Sequence, residues 1–394
     1  MGLSMKILHT VEFYHPSVGG MQEVVRQLSE RLVKLGHEVT VATTKLPERK
    51  EDILNDVRIV EFTISGNIAR GLKGEVERYK DFLLNSEFDV ITNFAAQQWA
   101  TDIMLLILDR VKTKKVIVPT GFSGLFLPMY KDYFELMKSW LKGYDKAVFL
   151  SDDYRDINFA REAGVDNTVL IPNGAAEDEF GRDSGVDIRG ALDVPKEHFL
   201  ILHVGSHPGI KGHAEAFRIF KSAGIKNSTF LLVANDFGGG CATKCKVTSM
   251  LHNRSRSSKH AGKRIILREL SREETLAAYH EADLFLFPSN IECSPLVLFE
   301  AMASKTAFLT TDVGNAKEII KWSGGGKLLP TDEEGNGYVR ARIPESARIV
   351  EEVYNSQSLR DELAQAGHRA WQDRFTWERI ALHYEALYKG LVNG

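Results

Sequence analysis

The chain reads as α/β: two doubly wound units in series, each a parallel sheet covered by helices, about 180 residues apiece. Three observations carry that reading. Short apolar runs rich in Val, Ile and Phe alternate with stretches of helical spacing along most of the sequence. The alternation breaks once, at Ile171-Pro172-Asn173-Gly174, and a polar, glycine-bearing stretch follows before it restarts. The length of 394 residues exceeds one ordinary domain and suits two. Strand–helix–strand repetition selects a parallel sheet, because two parallel strands need a crossover about as long as a helix.

The elements follow in order. Residues 5–11 read as a buried strand, then a loop with Pro16 and Gly19-Gly20. Over 21–35, Val24, Val25, Leu28, Leu32 and Leu35 recur at helical spacing, and Gly36 ends that helix. Strands are expected at 38–43, 57–63, 88–92, 115–119 and 146–150. Residues 175–195, with Gly181, Asp183, Ser184 and Gly185, read as the interdomain linker, so the domains run over 1–180 and 190–375. The second unit has strands at 199–204, 229–233, 264–267, 283–287 and 306–310, with helices at 212–223, 271–281 and 295–303. Residues 376–391 form an amphipathic helix. Two such domains in series set the carboxyl ends of two sheets face to face, and a central cleft there is the expected ligand site.

Composition narrows the class. Fifty Lys and Arg against 53 Asp and Glu leave a net charge of −3, which argues against a generally basic nucleic-acid binder. Apolar residues at 43% and charged residues at 26% are globular values. Three cysteines build no disulfide framework, and a reducing compartment is the simpler reading. No apolar run reaches the roughly 18–20 residues that span a bilayer. The first residues lead straight into a strand, so a secretory signal is not expected. A soluble cytoplasmic protein follows as the expectation.

The most informative segment is 283–304. A strand ends at Pro288-Ser289, a loop carries Glu292, and a helix begins near Pro295 with Ser294 placed as its N-cap. A helix N-terminus offers unpaired backbone N–H groups and the positive end of a dipole, which suit a phosphate. Glu292 before the helix and Glu300 on it could hold hydroxyl groups on either side of that phosphate. Bland readings are a solvated loop acid and a surface helix acid.

Glu292-x7-Glu300, followed by Ala301-Met302-Ala303, resembles the signature of the retaining glycosyltransferases of family 4, which have the GT-B fold of two Rossmann-like domains facing a central cleft. Further matches lie in the same order. Gly19-Gly20 before a helix is similar to the family's N-terminal glycine loop. Val148 to Ser151 and Ile171 to Gly174 are similar to its segment at the end of the N-domain. Val204-Gly205 with Lys211-Gly212 is similar to its diphosphate-binding loop, and Asp312-Val313-Gly314 with Glu318-Ile319-Ile320 to the segment after the signature. Phe375-Thr376-Trp377-Glu378 resembles the start of a C-terminal helix, 376–394, that returns to the N-domain.

The resemblance implies transfer of a sugar from a nucleotide-sugar donor with retention at the anomeric carbon. It implies that the C-domain binds the donor and the N-domain a glycan or lipid-linked acceptor, in cell-surface polysaccharide or glycolipid synthesis. Glu300 would hold the ribose hydroxyls and Glu292 the hydroxyls of the donor sugar. The backbone of Cys293, Ser294, Pro295, Leu296 and Val297 would contact sugar and diphosphate. Lys211 would neutralise the diphosphate as it leaves, the amides of Gly19 and Gly20 would lie near phosphate or reacting sugar, and no metal or other cofactor is implied. The physics fits: negative charge grows on the leaving phosphate oxygens, where a cation and fixed N–H donors stabilise it.

Two departures matter. The family usually has Arg directly after the glycine of the diphosphate loop; here Gly205 is followed by Ser206-His207. Serine donates one hydrogen bond and carries no charge, so diphosphate binding rests more heavily on Lys211. Many relatives have His after the strand at 115–119, near the donor sugar; here Thr120 stands there, and Thr is no general acid or base near neutral pH. The leaving phosphate itself is thought to act as base in retaining transfer, so that loss need not abolish activity. Asn93 and Gln97 are placed at the same cleft.

Three secondary features complete the reading. Residues 241–268 hold eight Lys or Arg (244, 246, 254, 256, 259, 263, 264, 268) and no acid, a block that reads either as an ordinary solvated helix and loop or as one that meets an anionic membrane face or a polyanionic acceptor. Residues 125–142 interleave aromatics and leucines with lysine, which fits the core packing of an ordinary helix first and contact with a lipid-linked acceptor second. Cys241 and Cys245 share a helical face, but two thiols with no nearby His pair make a poor zinc site. The rival readings are a sugar-nucleotide epimerase of the same fold, a phosphorylase, for which this chain is short, and a nucleotide-sugar-binding homologue with weakened catalysis, motivated by Ser206 and Thr120.

Overall fold

The computed structural model describes residues 4–85, 87–182, 184–235, 240–335 and 337–394. Residues 1–3, at the N-terminus, and Asp183 of the expected linker lie outside them. The chain divides into two compact units, residues 1–173 with 377–394, and residues 174–376.

In the first unit the strands are β1 (Lys6–Thr10), β2 (Glu38–Thr44), β3 (Ile53–Leu54), β4 (Val57–Phe62), β5 (Ile64–Asn67), β6 (Gly71–Gly74), β7 (Val90–Phe94), β8 (Lys114–Val118), β9 (Lys146–Phe149) and β10 (Thr168–Leu170). Eight of them form one sheet in the order β10-β9-β8-β7-β1-β2-β4-β3, parallel except for the short edge strand β3. β5 and β6 form a separate antiparallel hairpin. The strand order reverses between β1 and β7, so the loops after these two strands diverge and leave a crevice at their carboxyl ends. Ile7, Leu8, Val41, Val90, Ile91, Val116 and Ile117 are buried, as strands covered on both faces require.

The helix Trp377–Asn393 belongs to this first unit, where it lies against the helix Gly20–Lys34. Its Tyr388 is fully buried, and its hydroxyl meets Thr92 Oγ1 at 2.7 Å and His9 Nε2 at 3.3 Å. His9 Nδ1 lies 2.8 Å from Ser29 Oγ. Burial lowers the His9 pKa to about 3, so this ring is neutral and serves as a polar peg in the core.

In the second unit β11 (Phe199–Val204), β12 (Ser228–Val233), β13 (Lys263–Arg268), β14 (Leu284–Phe287), β15 (Phe308–Thr310) and β16 (Gly326–Leu328) form a wholly parallel sheet in the order β13-β12-β11-β14-β15-β16. β17 (Thr331–Glu333) and β18 (Val339–Ala341) make a small antiparallel ribbon. Here the order reverses between β11 and β14, which pair through Ile201 with Leu284 and Leu202 with Phe285.

The stretch 175–195, expected as a linker, is instead part of the second unit. Helices Glu177–Phe180 and Ile188–Ala191 form within it. Phe180, Ile188, Leu192 and Val194 enter the second core, while Ala175 pairs with Thr376 and accepts a hydrogen bond from the Trp371 indole at 3.1 Å. Glycine and aspartate made this segment look like a tether, but its spaced apolar side chains decide its fate. Asp152 and Asp153 lie in the loop before the helix Arg155–Glu162 and do not begin it.

Candidate active site

The two loops at the second unit's switch point are bound to each other through backbone. The Asn290 amide donates to Ile210 O at 2.9 Å, and Ser289 Oγ donates to the same oxygen at 3.2 Å. Gly212 sits at φ +69, and a Cβ built on it would fall 1.8 Å from Pro288 O. Only glycine permits that approach. Asn290 is held from the far side as well, since its amide Nδ2 donates to Val339 O at 3.1 Å and Arg340 donates to its Oδ1 at 3.1 Å.

This stitching brings Lys211 to Glu292, 2.7 Å apart, with Ser289 Oγ donating to the same Glu292 oxygen at 2.7 Å. Both side chains stay partly open to solvent, Lys211 at 25% and Glu292 at 11%. Gly205 lies in van der Waals range of Lys211: its Cβ position is 3.5 Å from the lysine Cβ. Ser206 is half-buried in the same loop.

The loop that carries Glu292 runs into the helix Leu296–Ala303. Pro295 is the N-cap, one position earlier than the first helical turn, and makes no side-chain cap bond. Ser294, expected as the cap, instead accepts from Asn315 Nδ2 at 3.1 Å, and the Asn315 amide donates to Cys293 O at 2.9 Å. Gly314, at φ +55, lets its chain pass so close to Cys293 that a Cβ would lie 2.1 Å from the Cys293 carbonyl. The segment 292–295 is therefore pinned on two sides. Leu296 and Val297 open the helix, where amides lack an intrahelical acceptor. A lysine ammonium and a helix N-terminus thus belong to adjoining loops at one sheet end, an arrangement suited to a phosphate.

Glu300 lies on the buried side of that helix at 8% exposure. Arg272 reaches its Oε1 at 2.7 Å and also Glu179 Oε2 at 2.5 Å. The two carboxylates raise the arginine pKa further above its ordinary value, against the opposing effect of burial. Glu300 is accordingly a fixed carboxylate, neither a loose surface acid nor a partner of Lys211.

The first unit places its candidates separately. Gly19 caps the helix Gly20–Lys34 with extended backbone and no side-chain cap bond, and its carbonyl accepts from the Glu23 amide at 3.0 Å. Thr120 is half-buried at φ +60 and is followed by Gly121 at +91 and Phe122 at +44; Ala95 and Gln97, after β7, are also left-handed at +62 and +64. Such backbone concentrates at sites where function needs it. Asn93 does not face a site: it is fully buried, its Nδ2 donates to Thr10 Oγ1 at 2.7 Å, and its Oδ1 accepts from Tyr144 at 2.8 Å. Gln97 is half-buried and its Oε1 accepts from the Gly124 amide at 3.0 Å.

Two features escaped the sequence reading. Glu12 follows β1 at the first unit's switch point, where its amide donates to Gln98 Oε1 at 2.7 Å and partial burial raises its carboxyl pKa. An acid directly after the buried run 7–11 was the available signal. His207 and His213 meet Cys241 and Cys245 in space, so the thiols do have a His pair beside them. Lys263 also departs from expectation: it is buried, donates to Phe220 O and to Ala223 O at 2.7 Å, and its pKa falls to about 8 through desolvation, so it is no part of a basic surface.

Comparison with known proteins assigns the class. Residues 18–179 match the model of glycosyltransferase family 4, and residues 187–369 that of the glycosyl transferases group 1. No curated protein matches in sequence. Among solved structures, a sucrose-phosphate synthase from Thermosynechococcus elongatus superposes with a TM-score of 0.77 at 19% identity, covering 98% of this chain and 99% of that one. HepE of Anabaena, in complex with UDP and glucose, gives 0.74 at 15% identity, covering 98% and 100%. WaaG, a glycosyltransferase involved in lipopolysaccharide biosynthesis, gives 0.67 at 14%, covering 98% and 100%. The fold is GT-B, with two Rossmann-like domains. The chain is a glycosyltransferase of the group 1 and family 4 type.

Proposed function

We propose that this enzyme moves a sugar from a nucleotide-sugar donor to a glycan or lipid-linked acceptor with retention of anomeric configuration. The observation that supports this most is the Lys211–Glu292 pair beside the N-terminus of the helix Leu296–Ala303. An incoming diphosphate competes with Glu292 for the Lys211 ammonium. The released carboxylate then accepts hydrogen bonds from the hydroxyls of the donor sugar. Glu300, fixed by Arg272, takes the ribose hydroxyls. As the glycosidic bond to phosphate breaks, charge grows on the departing oxygens, where Lys211 and the helix amides stabilise it. In this reading that set replaces a metal at the diphosphate, and Ser206 contributes one hydrogen bond.

The test begins with thermal shift of the intact chain against UDP-, GDP- and ADP-sugars. A donor at 100 times its Kd adds about 2.7 kcal/mol of stability. The donor that shifts the melt should then release nucleoside diphosphate without added Mg2+ or Mn2+, and transfer should give a product of unchanged anomeric configuration. Binding without release would favour the weakened homologue, release of a free epimerised sugar nucleotide the epimerase, and an inverted product would refute retention.

The acceptor and membrane readings rest on surface. Phe126, Leu127, Met129 and Leu136 are exposed in the first unit, while Tyr133, Phe134 and Met137 of the same stretch are core. No helix of the described residues is long and apolar enough to cross a membrane. On the helix Gly240–Arg254, exposed Val247, Met250 and Leu251 stand among Lys244, Lys246 and Arg254, with Arg256 and Lys259 just beyond. Apolar residues ringed by cations suit the surface of an anionic bilayer. The chain should float with phosphatidylglycerol vesicles and not with phosphatidylcholine vesicles, and Lys244→Glu with Arg254→Glu should abolish flotation. Equal recovery with both lipids would sink the membrane reading.

A further inference from the structure

We propose that His207, His213, Cys241 and Cys245 form a closed four-ligand zinc site that clamps the 205–212 loop to the helix Gly240–Arg254. One ligand atom from each residue lies within 4.8 Å of every other. In tetrahedral zinc, with Zn–S of about 2.3 Å and Zn–N of about 2.0–2.1 Å, ligand atoms stand about 3.3–3.8 Å apart. His213 Nδ1 is already 3.5 Å from Cys241 Sγ and 3.9 Å from Cys245 Sγ. The remaining closure is at most about 1.5 Å.

The elements that supply the ligands explain why the four meet. His207 lies in the loop after β11, and His213 is the first residue of the helix His213–Ser222. Their rings stand edge to face with centroids 4.7 Å apart. Cys241 and Cys245 lie one turn apart on the helix Gly240–Arg254, on the side that also buries Ser249 and His252. That is the opposite side from the exposed Val247 and Leu251.

The donor set selects the ion. Two thiolates and two imidazoles suit zinc and are poor ligands for Mg2+ or Ca2+. Zinc binds cysteine as thiolate, so each thiol gives up its proton to solvent on binding, and the two thiolate charges cancel those of Zn2+. With four protein ligands the site has no open position for water, so its role is structural. The loop it fixes carries Gly205, Ser206 and Lys211. This zinc inference does not depend on which donor or acceptor the enzyme uses.

The test measures metal directly. Untagged protein purified without chelator should hold about one zinc per chain by elemental analysis. Zinc-free protein given Co2+ should develop the thiolate charge-transfer and intense visible bands of a tetrahedral site. Cys241→Ala should lower zinc content at least about tenfold. His207→Ala, a change at a half-buried loop residue, should weaken binding while leaving the circular-dichroism spectrum unchanged. Zinc content below about 0.1 per chain together with no cobalt bands would overturn the proposal, as would full binding in both variants.

Discussion

Lys211→Ala lowers the rate of donor cleavage by about 10²–10³-fold, the usual cost of removing one preorganised group that stabilises charge in the transition state. The loss falls mainly on kcat, because the phosphate charge grows as the bond breaks and the lysine matters most at that point. Stability should hardly change. A partly solvated ion pair contributes about 1 kcal/mol or less, and Glu292 keeps its hydrogen bond from Ser289 when the lysine is gone. Steady-state release of nucleoside diphosphate with a matched thermal melt checks both halves. Turnover within about threefold of wild type would remove Lys211 from the chemistry.

Gly212→Ala acts through geometry. At φ +69 an L-residue costs about 1–2 kcal/mol. The added methyl also meets Pro288 O at 1.8 Å and its carbonyl carbon at 2.4 Å, and neither can rotate away. Forced displacement of packed backbone adds about 1–3 kcal/mol. A total of about 3 kcal/mol lowers the melting point of a unit this size by roughly 10 °C. The loops also move apart, so Lys211 no longer meets Glu292 and turnover falls. Gly209→Ala is the control: it has φ +86 but nothing within 4 Å of the added Cβ, so it bears the conformational cost alone. Equal destabilisation in both variants would show that the contact with Pro288 carries no weight.

Local pattern served well where one element decides. The apolar runs at 199–204 and 283–287 become β11 and β14, and Gly36 follows the helix Gly20–Lys34. Glu292 and Lys211 were visible as members of ordered motifs, but their contact was not, because it depends on strand order at the switch point. The same reason hid the histidines from the cysteines: 28 residues separate His213 from Cys241, and periodicity carries no such distance. Asn93 misled because a polar residue late in a strand looks like a site residue, while here two buried hydroxyls satisfy it. Lys263 misled in the same way, since a charge count does not tell a surface lysine from one held by buried carbonyls.

The returning helix Trp377–Asn393 has a consequence for the ribosome. Tyr388, which fills the core between His9 and Thr92, is synthesised only after the whole second unit, although the strands it completes precede that unit. Chains usually fold in the order in which they emerge. Here the second unit, complete by residue 376, can close while the first still lacks a piece of its interior. Until residues 377–393 appear, the nascent first unit leaves uncovered the face that the helix Trp377–Asn393 will occupy, and a message truncated before residue 377 yields a chain whose second unit is sound and whose first is not.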